Sequence, residues 1–240
     1  MKKGFANIVS ILVFFTVVAF MMMVHTAIGQ MYFQDDFSNP DSLDENWDHA
    51  GDTAEWKIEN GELTARGAGY DWNLVLVKEK FWKGWTDYTY EVKITPETNR
   101  AANWIYQIFR YSQPLNLDRI NFFSYHMDAS TEVGLYIDRF INSTRTRPVP
   151  GTVTFAGVWT NDKEHVLKVE VTKTTITGYL DDEKQFGPFE EPNLANGRVG
   201  LGVWETDARF DDVKVYGPSG MAVDPGGKVV ATWAQIKDEY

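Results

Sequence analysis

A series of short alternating segments places the tightest constraint on how this chain can fold. Residues 88–94 read Tyr-Thr-Tyr-Glu-Val-Lys-Ile, and residues 165–171 alternate between apolar and polar side chains in the same way. A period of two puts one side of an extended strand on a core and the other side in solvent. Asn60-Gly61 joins two further runs and suits a tight hairpin turn, because both residues tolerate positive φ. The pattern predicts an all-β fold.

The spacing of these runs predicts the organisation of the whole chain. They recur roughly every 8–12 residues, which is typical of β-sandwiches and barrels. With 240 residues and 43% hydrophobic side chains, the chain can fill the core of one such domain. We predict a sandwich over residues 30–217. A linker rich in Gly and Pro and a short amphipathic C-terminal helix are predicted over residues 218–240.

The first 29 residues have the features of an export signal. Lys2 and Lys3 precede an apolar stretch over residues 8–24, and Ala27 and Gly29 stand at the two positions that a signal peptidase reads. We predict cleavage before Gln30, a secreted, cell-surface or periplasmic location, and no membrane association after cleavage. The apolar stretch is also near the minimum of about 17 residues that spans a bilayer, so an uncleaved anchor is the alternative.

Charge and cysteine content exclude several classes of function. The formal net charge is −11, and no cluster of Lys and Arg offsets it, so we expect no binding to nucleic acid. The sequence contains no cysteine, which excludes disulfides, thiolate catalysis and cysteine-ligated zinc. An exported chain of this kind must be stabilised by its core, with a bound metal as a further possibility.

Several short motifs follow one another in an order that resembles a known superfamily. They are Asp-Asp-Phe at 35–37, the tryptophan strand at 56–63, the strand ending in Phe-Arg-Tyr at 104–111, the alternating strand at 165–171, and the closing segments 196–203 and 210–216. Their order and spacing resemble the concanavalin A-like lectin/glucanase superfamily, and within it laminin-G-like domains and the 3-keto-disaccharide hydrolase domain. The resemblance implies a two-sheet antiparallel jelly-roll sandwich.

A lectin-like sandwich binds sugars on its concave sheet, where aromatic rings stack on sugar faces and planar polar groups grip hydroxyls. We therefore predict a glycan or polysaccharide as the ligand. Arg110, Arg119, Asn121 and Glu132 are costly to bury unpaired, so we expect their face to be solvated. The predicted ligand-binding residues share strand sides or flank the sheet; they are Trp72, Trp104, Tyr106, Arg110, Arg119, Asn121, Tyr125, Glu132 and Tyr136.

The resemblance also implies one structural calcium ion. Members of the superfamily take its ligands from the glycine turn after the first tryptophan strand and from an aspartate on the final strand. These positions match the carbonyl of Gly61 and the carboxylate and carbonyl of Asp211, and we add Asp36 because it lies near the start of the sandwich. Hard oxygen ligands of this kind suit Ca²⁺. The alternative is that the two aspartates only cap strand ends.

Catalysis is not favoured by the sequence. The family 16 glycosidases of this superfamily carry a Glu-x-Asp-x-x-Glu strand, which supplies the two carboxylates that hydrolysis needs, and no such strand occurs here. We therefore assign no catalytic residue. Two alternatives to a lectin stay open. One is a hydrolase of the 3-keto-disaccharide type, in which His126 or Glu132 would act as acid or base. The other is a non-catalytic adhesive or structural domain.

Overall fold

The computed structural model describes most of the predicted sandwich. The described residues are 29–51, 54–67, 69–82, 84–97, 104–112, 121–128, 134–148 and 161–218. The chain divides into one unit of Met31–Gly217 and a second of Met1–Gln30 with Pro218–Tyr240. The predicted export signal and C-terminal helix lie outside the described residues, apart from residues 29, 30 and 218. No helix in the described ranges is long and apolar enough to cross a membrane.

The described residues of the unit Met31–Gly217 form strands and one short helix, α1 (Ser42–Asn46). The described strands, in chain order, are β1 (Met31–Asp35), β2 (Trp47–Ala50), β3 (Glu55–Glu59), β4 (Glu62–Arg66), β5 (Asn73–Val77), β6 (Tyr88–Pro96), β7 (Trp104–Tyr111), β8 (Phe122–Asp128), β9 (Gly134–Ile141), β10 (Thr144–Thr146), β11 (His165–Thr172), β12 (Thr175–Leu180), β13 (Glu183–Glu190), β14 (Arg198–Trp204) and β15 (Ala208–Tyr216).

The strands form two antiparallel sheets, as predicted. Sheet A has the order β13-β12-β11-β6-β15-β4-β3, and β1 pairs with the second half of β15. Sheet B has the order β10-β9-β8-β7-β14-β5-β2. Several neighbours in the sheets are distant in sequence, as in β6 with β15 and β7 with β14, so the two sheets are interleaved along the chain. The two-sheet sandwich predicted from the alternating runs is confirmed.

The main core lies between the sheets and follows the predicted alternation. Tyr88, Tyr90, Val92 and Ile94 of β6 are buried in it, and their neighbours alternate toward the other face. Sheet B contributes inward side chains such as Phe109, which stacks on Phe123 with ring centroids 5.4 Å apart. Each Å² of apolar surface that is removed from water contributes about 25 cal/mol to stability. Burial of these side chains is therefore the main source of stability in a chain without disulfides.

Two tight turns join neighbouring strands of sheet A, and the first is the turn predicted from the sequence. Asn60 and Gly61, with φ of 56° and 82°, connect β3 and β4. Lys173, with φ of 52°, lies in the turn between β11 and β12. Glycine also serves close packing in β14: a Cβ at Gly200 would stand 2.5 Å from the carbonyl oxygen of Val75. The absence of a side chain at these glycines therefore lets the neighbouring strand approach closely, as expected of glycine inside a strand.

Candidate functional site

Sheet B carries a second apolar cluster on the face that points away from the core. Its residues alternate with the inward residues of the same strands, so they lie on the outer face. The cluster draws on five strands, β2, β5, β7, β8 and β9. Its buried members are Ala50, Leu74, Leu76, Tyr106, Ile108, Tyr111, Phe122 and Phe140.

Three partly exposed tryptophans pack on this cluster, and we call them the tryptophan layer: Trp72, Trp104 and Trp204. The ring centroid of Trp204 lies 5.4 Å from that of Trp72 and 5.7 Å from that of Trp104. Tyr70 contacts Trp204 edge-on at 6.4 Å and is 78% exposed. An exposed aromatic next to three half-exposed ones gives the outer face of sheet B a rim of accessible rings.

The register of the strands explains why these rings meet. Trp104 begins β7 and Trp204 ends β14, and the two positions are direct partners in the antiparallel ladder. Next to them Gly202 pairs with Tyr106, and the missing side chain leaves room for neighbouring rings and aliphatic groups. Trp72 arrives from the segment before β5, and its ring lies 5.0 Å from that of Phe140 and 5.2 Å from that of Tyr106.

Charged residues from the hairpin β9–β10 border the tryptophan layer. Arg145 is the direct partner of Phe140, which places it on the same outer face. Its Nε donates to Asp138 Oδ2 at 2.5 Å, and its guanidinium carbon lies 5.2 Å from the ring centroid of Trp104. Arg147 donates from Nε to Asp138 Oδ1 at 3.3 Å and lies 3.9 Å over the ring of Tyr136. One carboxylate thus orients two guanidinium groups over aromatic rings.

The carboxylate of Asp138 is buried beneath these two arginines. Burial raises the pKa of Asp138 above its ordinary value, and the two guanidinium groups act in the opposite direction without reversing the shift. Both of its oxygens accept hydrogen bonds from arginine, one from each side chain. The arrangement suits an anchoring role, because an oxygen occupied in this way is poorly placed to exchange protons with a substrate.

Four predicted ligand-binding residues do lie together on this face. Trp72 and Trp104 belong to the tryptophan layer, whereas Tyr106 and Tyr136 are buried beneath Trp72 and Arg147 respectively. The rings of the tryptophan layer are therefore accessible to a ligand, whereas the side chains of the two tyrosines are not. Binding by these residues stays a prediction.

The expectation that Arg110 lies on a solvated face is wrong. Between Ile108 and Tyr111, β7 has one residue more than β14 has opposite it, and Arg110 adopts φ of 55° in this bulge. The extra residue breaks the alternation. Arg110 is fully buried, and it donates from Nη2 to the carbonyl oxygen of Lys173. Burial lowers its pKa, partly offset by the nearby Tyr88 and Asp87.

Asn121 is also buried, which contradicts the expectation of a solvated position. Its Oδ1 accepts from the backbone N–H of Asn142 at 2.7 Å, so it fastens the start of β8 to the turn after β9. Tyr125 pairs in the backbone register with Gln107 and Ile137, two positions of the inner face. His126 pairs with Tyr106 and Tyr136. Arg119 and Glu132 lie outside the described residues.

Several residues of the face were not found from the sequence. Arg145 and Arg147 belong to a hairpin whose second strand, β10, has only three residues, too few for a periodic signal. Trp204 follows directly after the closing segment 196–203, and Tyr70 lies two residues before the predicted ligand-binding residue Trp72. The available signal was the number of aromatic residues near strand ends, which does not say which strand ends meet.

Asp211, one residue of the predicted calcium site, stands at the start of a bulge in β15. Burial raises the pKa of Asp211 on β15 above its ordinary value. The charges of Asp212 and Glu62 act in the same direction, while the backbone N–H of Asp212 and the charge of Lys93 partly offset the shift. Gly61 precedes Glu62 in the β3–β4 turn, and Asp36 is close enough to Asp212 for their charges to interact. No cluster of three or more acidic or histidine side chains suited to a metal occurs among the described residues. The predicted set relies on carbonyl oxygens as well, so it stays a prediction.

A pocket of about 280 Å³ lies beside this bulge. It is lined by β1, the segment around α1, and β15, including Asp35, Asp36, Asn39 and Asp212. Asp35 is not available for a ligand there: it accepts hydrogen bonds from Asn46 Nδ2 at 3.2 Å and from Trp47 Nε1 at 2.9 Å. The pocket is distinct from the tryptophan layer, which belongs to sheet B.

The architecture is that of concanavalin A-like or galectin-like jelly-roll sandwiches, and the predicted fold class is confirmed. The carbohydrate-binding module CBM66 from Bacillus subtilis is 20% identical, with a TM-score of 0.58 over 71% of this chain and 95% of that one. A β-glucanase from Bacillus licheniformis is 12% identical, with a TM-score of 0.56 over 79% of this chain and 99% of that one.

The carbohydrate recognition domain of Emp46p, in a metal-free form, is 10% identical, with a TM-score of 0.57 over 78% of this chain and 97% of that one. At such identities the similarity establishes the fold alone. No protein-family model and no curated protein sequence matches the chain. The function must therefore be argued from the residues of the site.

Proposed function

We propose that this protein is an exported carbohydrate-binding module that holds a glycan on the outer face of sheet B. The observation that carries the proposal is the tryptophan layer with Tyr70 at its edge, since large apolar rings are exposed there side by side. Pyranose rings have an apolar face that stacks on aromatic side chains. Arg145 and Arg147 add donors for hydroxyl groups beside the rings.

The similar structures support a glycan as the ligand without identifying it. One is described as a carbohydrate-binding module and another as a carbohydrate recognition domain, and both have this fold. An exported location agrees with the predicted signal sequence. A hydrolase of the 3-keto-disaccharide type remains the alternative for the same face. Against it, both oxygens of Asp138, a buried carboxylate of the face, are held by arginines.

The test is a glycan array and polysaccharide affinity electrophoresis with the wild type, Trp204→Ala and a control, Trp56→Ala. Trp56 is also partly exposed but lies in sheet A, where it stacks on Phe210 with centroids 5.9 Å apart. We expect Trp204→Ala to weaken binding at least about tenfold, because stacking on one aromatic ring contributes roughly 1.5 kcal/mol. Trp56→Ala should bind as the wild type does.

Two outcomes would contradict the proposal. Absence of binding to every glycan would favour an adhesive or structural domain. Equal losses in Trp204→Ala and Trp56→Ala would show that the tryptophan layer is not the site. Release of reducing ends from a bound glycan would instead identify a hydrolase.

We also propose that the bulge of β15 binds one structural calcium ion through Asp211, the carbonyl of Gly61 and Asp36. The chemistry of these donors supports it, because all are hard oxygens. The raised pKa of Asp211 supports it further, since a half-buried carboxylate with acidic neighbours is stabilised by a bound cation. The ion would join the β3–β4 turn to β15 and would have no part in sugar binding.

A further inference from the structure

We propose that the glycan bound by this face is acidic, carrying carboxylate or sulfate groups, and that Arg145 recognises the anionic group. The inference rests on the proposed function, because it names the class of sugar for the same site. It is carried by the position of one guanidinium group, which lies between the ring of Trp104 and the carboxylate of Asp138.

Arg145 is oriented by its neighbours without being fully engaged by them. Its Nε donates to Asp138 Oδ2, and its plane is supported by Trp104. A guanidinium group has five N–H donors, four of them on the terminal nitrogens. Within the part of the chain that the structure describes, those terminal nitrogens make no hydrogen bond or ion pair. Because these terminal N–H donors are held in place and are not engaged, they can bind a ligand.

These donors are accessible from the side on which a sugar would stack. The side chain of Arg145 is 34% exposed, and Trp104, on which it lies, is 5.7 Å from Trp204. A sugar stacked on Trp204 is therefore close to the terminal nitrogens. The paired N–H groups of arginine match the two oxygens of a carboxylate or sulfate, and charge-assisted hydrogen bonds of this kind are about twice as strong as neutral ones.

The net charge of the whole protein bears on how an anion could be recognised at this site. With a formal net charge of −11, the chain repels anions in general, so its field does not favour an acidic glycan. On this face, however, two guanidinium groups share one carboxylate, because Arg147 contacts the second oxygen of Asp138. Recognition of an anion must then be specific to the site, and it should depend on Arg145 individually.

The experiment compares acidic polysaccharides with their own carboxyl-reduced forms, which keep the backbone and lose the charge. Polygalacturonate, alginate and glucuronoxylan serve as probes, each in both forms, with chelator present to prevent calcium bridging. Affinity is measured by titration calorimetry for the wild type, Arg145→Gln and a control, Arg66→Gln. Arg66 has a similarly exposed side chain, at 40%, but pairs with Glu97 in sheet A.

We expect at least one acidic form to bind about tenfold or more tightly than its reduced counterpart. Arg145→Gln should remove that preference and keep the affinity for the reduced form, while Arg66→Gln should change neither. Equal binding of both forms by the wild type, or a preference that persists in Arg145→Gln, would overturn this inference and leave the proposed function standing. Absence of binding to both forms of all three probes would also overturn this inference, and the glycan array would then decide whether the proposed function fails as well. The wild-type comparison stands alone if the variant does not fold.

Discussion

Gln107 in sheet B donates a hydrogen bond of 2.9 Å from Nε2 to the carbonyl oxygen of Tyr90 in sheet A. The same Nε2 lies 3.1 Å from the carbonyl oxygen of Leu167, also in sheet A. In return, the hydroxyl of Tyr90 donates to the carbonyl oxygen of Gly200 in sheet B at 2.8 Å. Burial raises the pKa of Tyr90, so the hydroxyl keeps its proton as a donor. These bonds fasten β7 and β14, which carry Trp104 and Trp204, to the opposite sheet.

Replacing Gln107 with Leu should therefore destabilise the sandwich. The side chain is fully buried, and the change removes both inter-sheet hydrogen bonds while keeping most of the volume. We expect a loss of about 1–3 kcal/mol in the free energy of unfolding, measured by urea denaturation. Gln185→Leu is the control, because that side chain bonds only the nearby carbonyl of Glu183 at an exposed site. Similar losses in both variants would contradict the inter-sheet role.

Two neighbouring aspartates should differ sharply in their effect on stability. Asp35 is buried and accepts from Trp47 Nε1 at 2.9 Å and from the N–H of Phe37 at 3.0 Å, so Asp35→Ala leaves buried donors unpaired. We expect a loss of about 2–4 kcal/mol. Asp36 is exposed and bonds only Ser38, so Asp36→Ala should cost less than about 1 kcal/mol in chelator. The urea denaturation midpoints of the two variants test this prediction, and equal losses of stability would contradict it.

The raised pKa of Asp138 predicts a particular dependence of stability on pH. The folded state keeps the proton of Asp138 to a higher pH than the unfolded chain does, where the pKa is about 3.9. The folded state thus binds more protons in this interval, so this group's contribution to stability falls as the pH rises through it. Asp138→Asn removes the titration. The difference in free energy of unfolding between wild type and variant should change just above about pH 4 and be constant at higher pH. A difference independent of pH would contradict the shift.

Two glycines of β14 provide a test of packing on the outer face of sheet B. A Cβ at Gly200 would lie 2.5 Å from the carbonyl oxygen of Val75, whereas one at Gly202 would first meet the end of the Leu74 side chain at 2.7 Å. Backbone cannot move aside as a side chain can. Gly200→Ala should cost about 1–3 kcal/mol and Gly202→Ala less, as measured by thermal unfolding. The reverse order would show that the face is packed differently.

Calcium should raise the stability of the wild type if the bulge of β15 binds it. We expect the unfolding temperature to rise with calcium concentration and to fall on addition of chelator, because a ligand that binds only the folded state stabilises it by mass action. Asp211→Asn should abolish this dependence. Asp44→Asn is the control, since Asp44 is an exposed carboxylate of α1. A calcium response that survives in Asp211→Asn would place the ion elsewhere.

The sequence predicted the fold well because alternation acts locally. Residues 88–94 and 165–171 carry enough consecutive positions to define an inward and an outward side, and both became strands of sheet A. Asn60-Gly61 was identifiable as a turn, because both residue types tolerate the positive φ that the turn requires. The closing segments, 196–203 and 210–216, likewise correspond to strands, β14 and β15.

The site was only partly predictable, because it depends on which strand ends meet. Trp104 and Trp72 were identified, but the pairing that brings Trp204 to Trp104 joins residues one hundred positions apart. Arg110 shows the other limit. A single extra residue in β7 reverses the side on which a residue lies, and alternation along one strand cannot reveal a bulge that is defined by its partner.

The position of β15 in sheet A also governs how the protein can be made. This strand pairs with β6 along one edge and with β4 and β1 along the other, although it is the last of the described strands in the chain. During synthesis those three earlier strands lack their common partner until residues 208–216 have left the ribosome. The sandwich should therefore mature late, and an incomplete chain would present unpaired strand edges to chaperones.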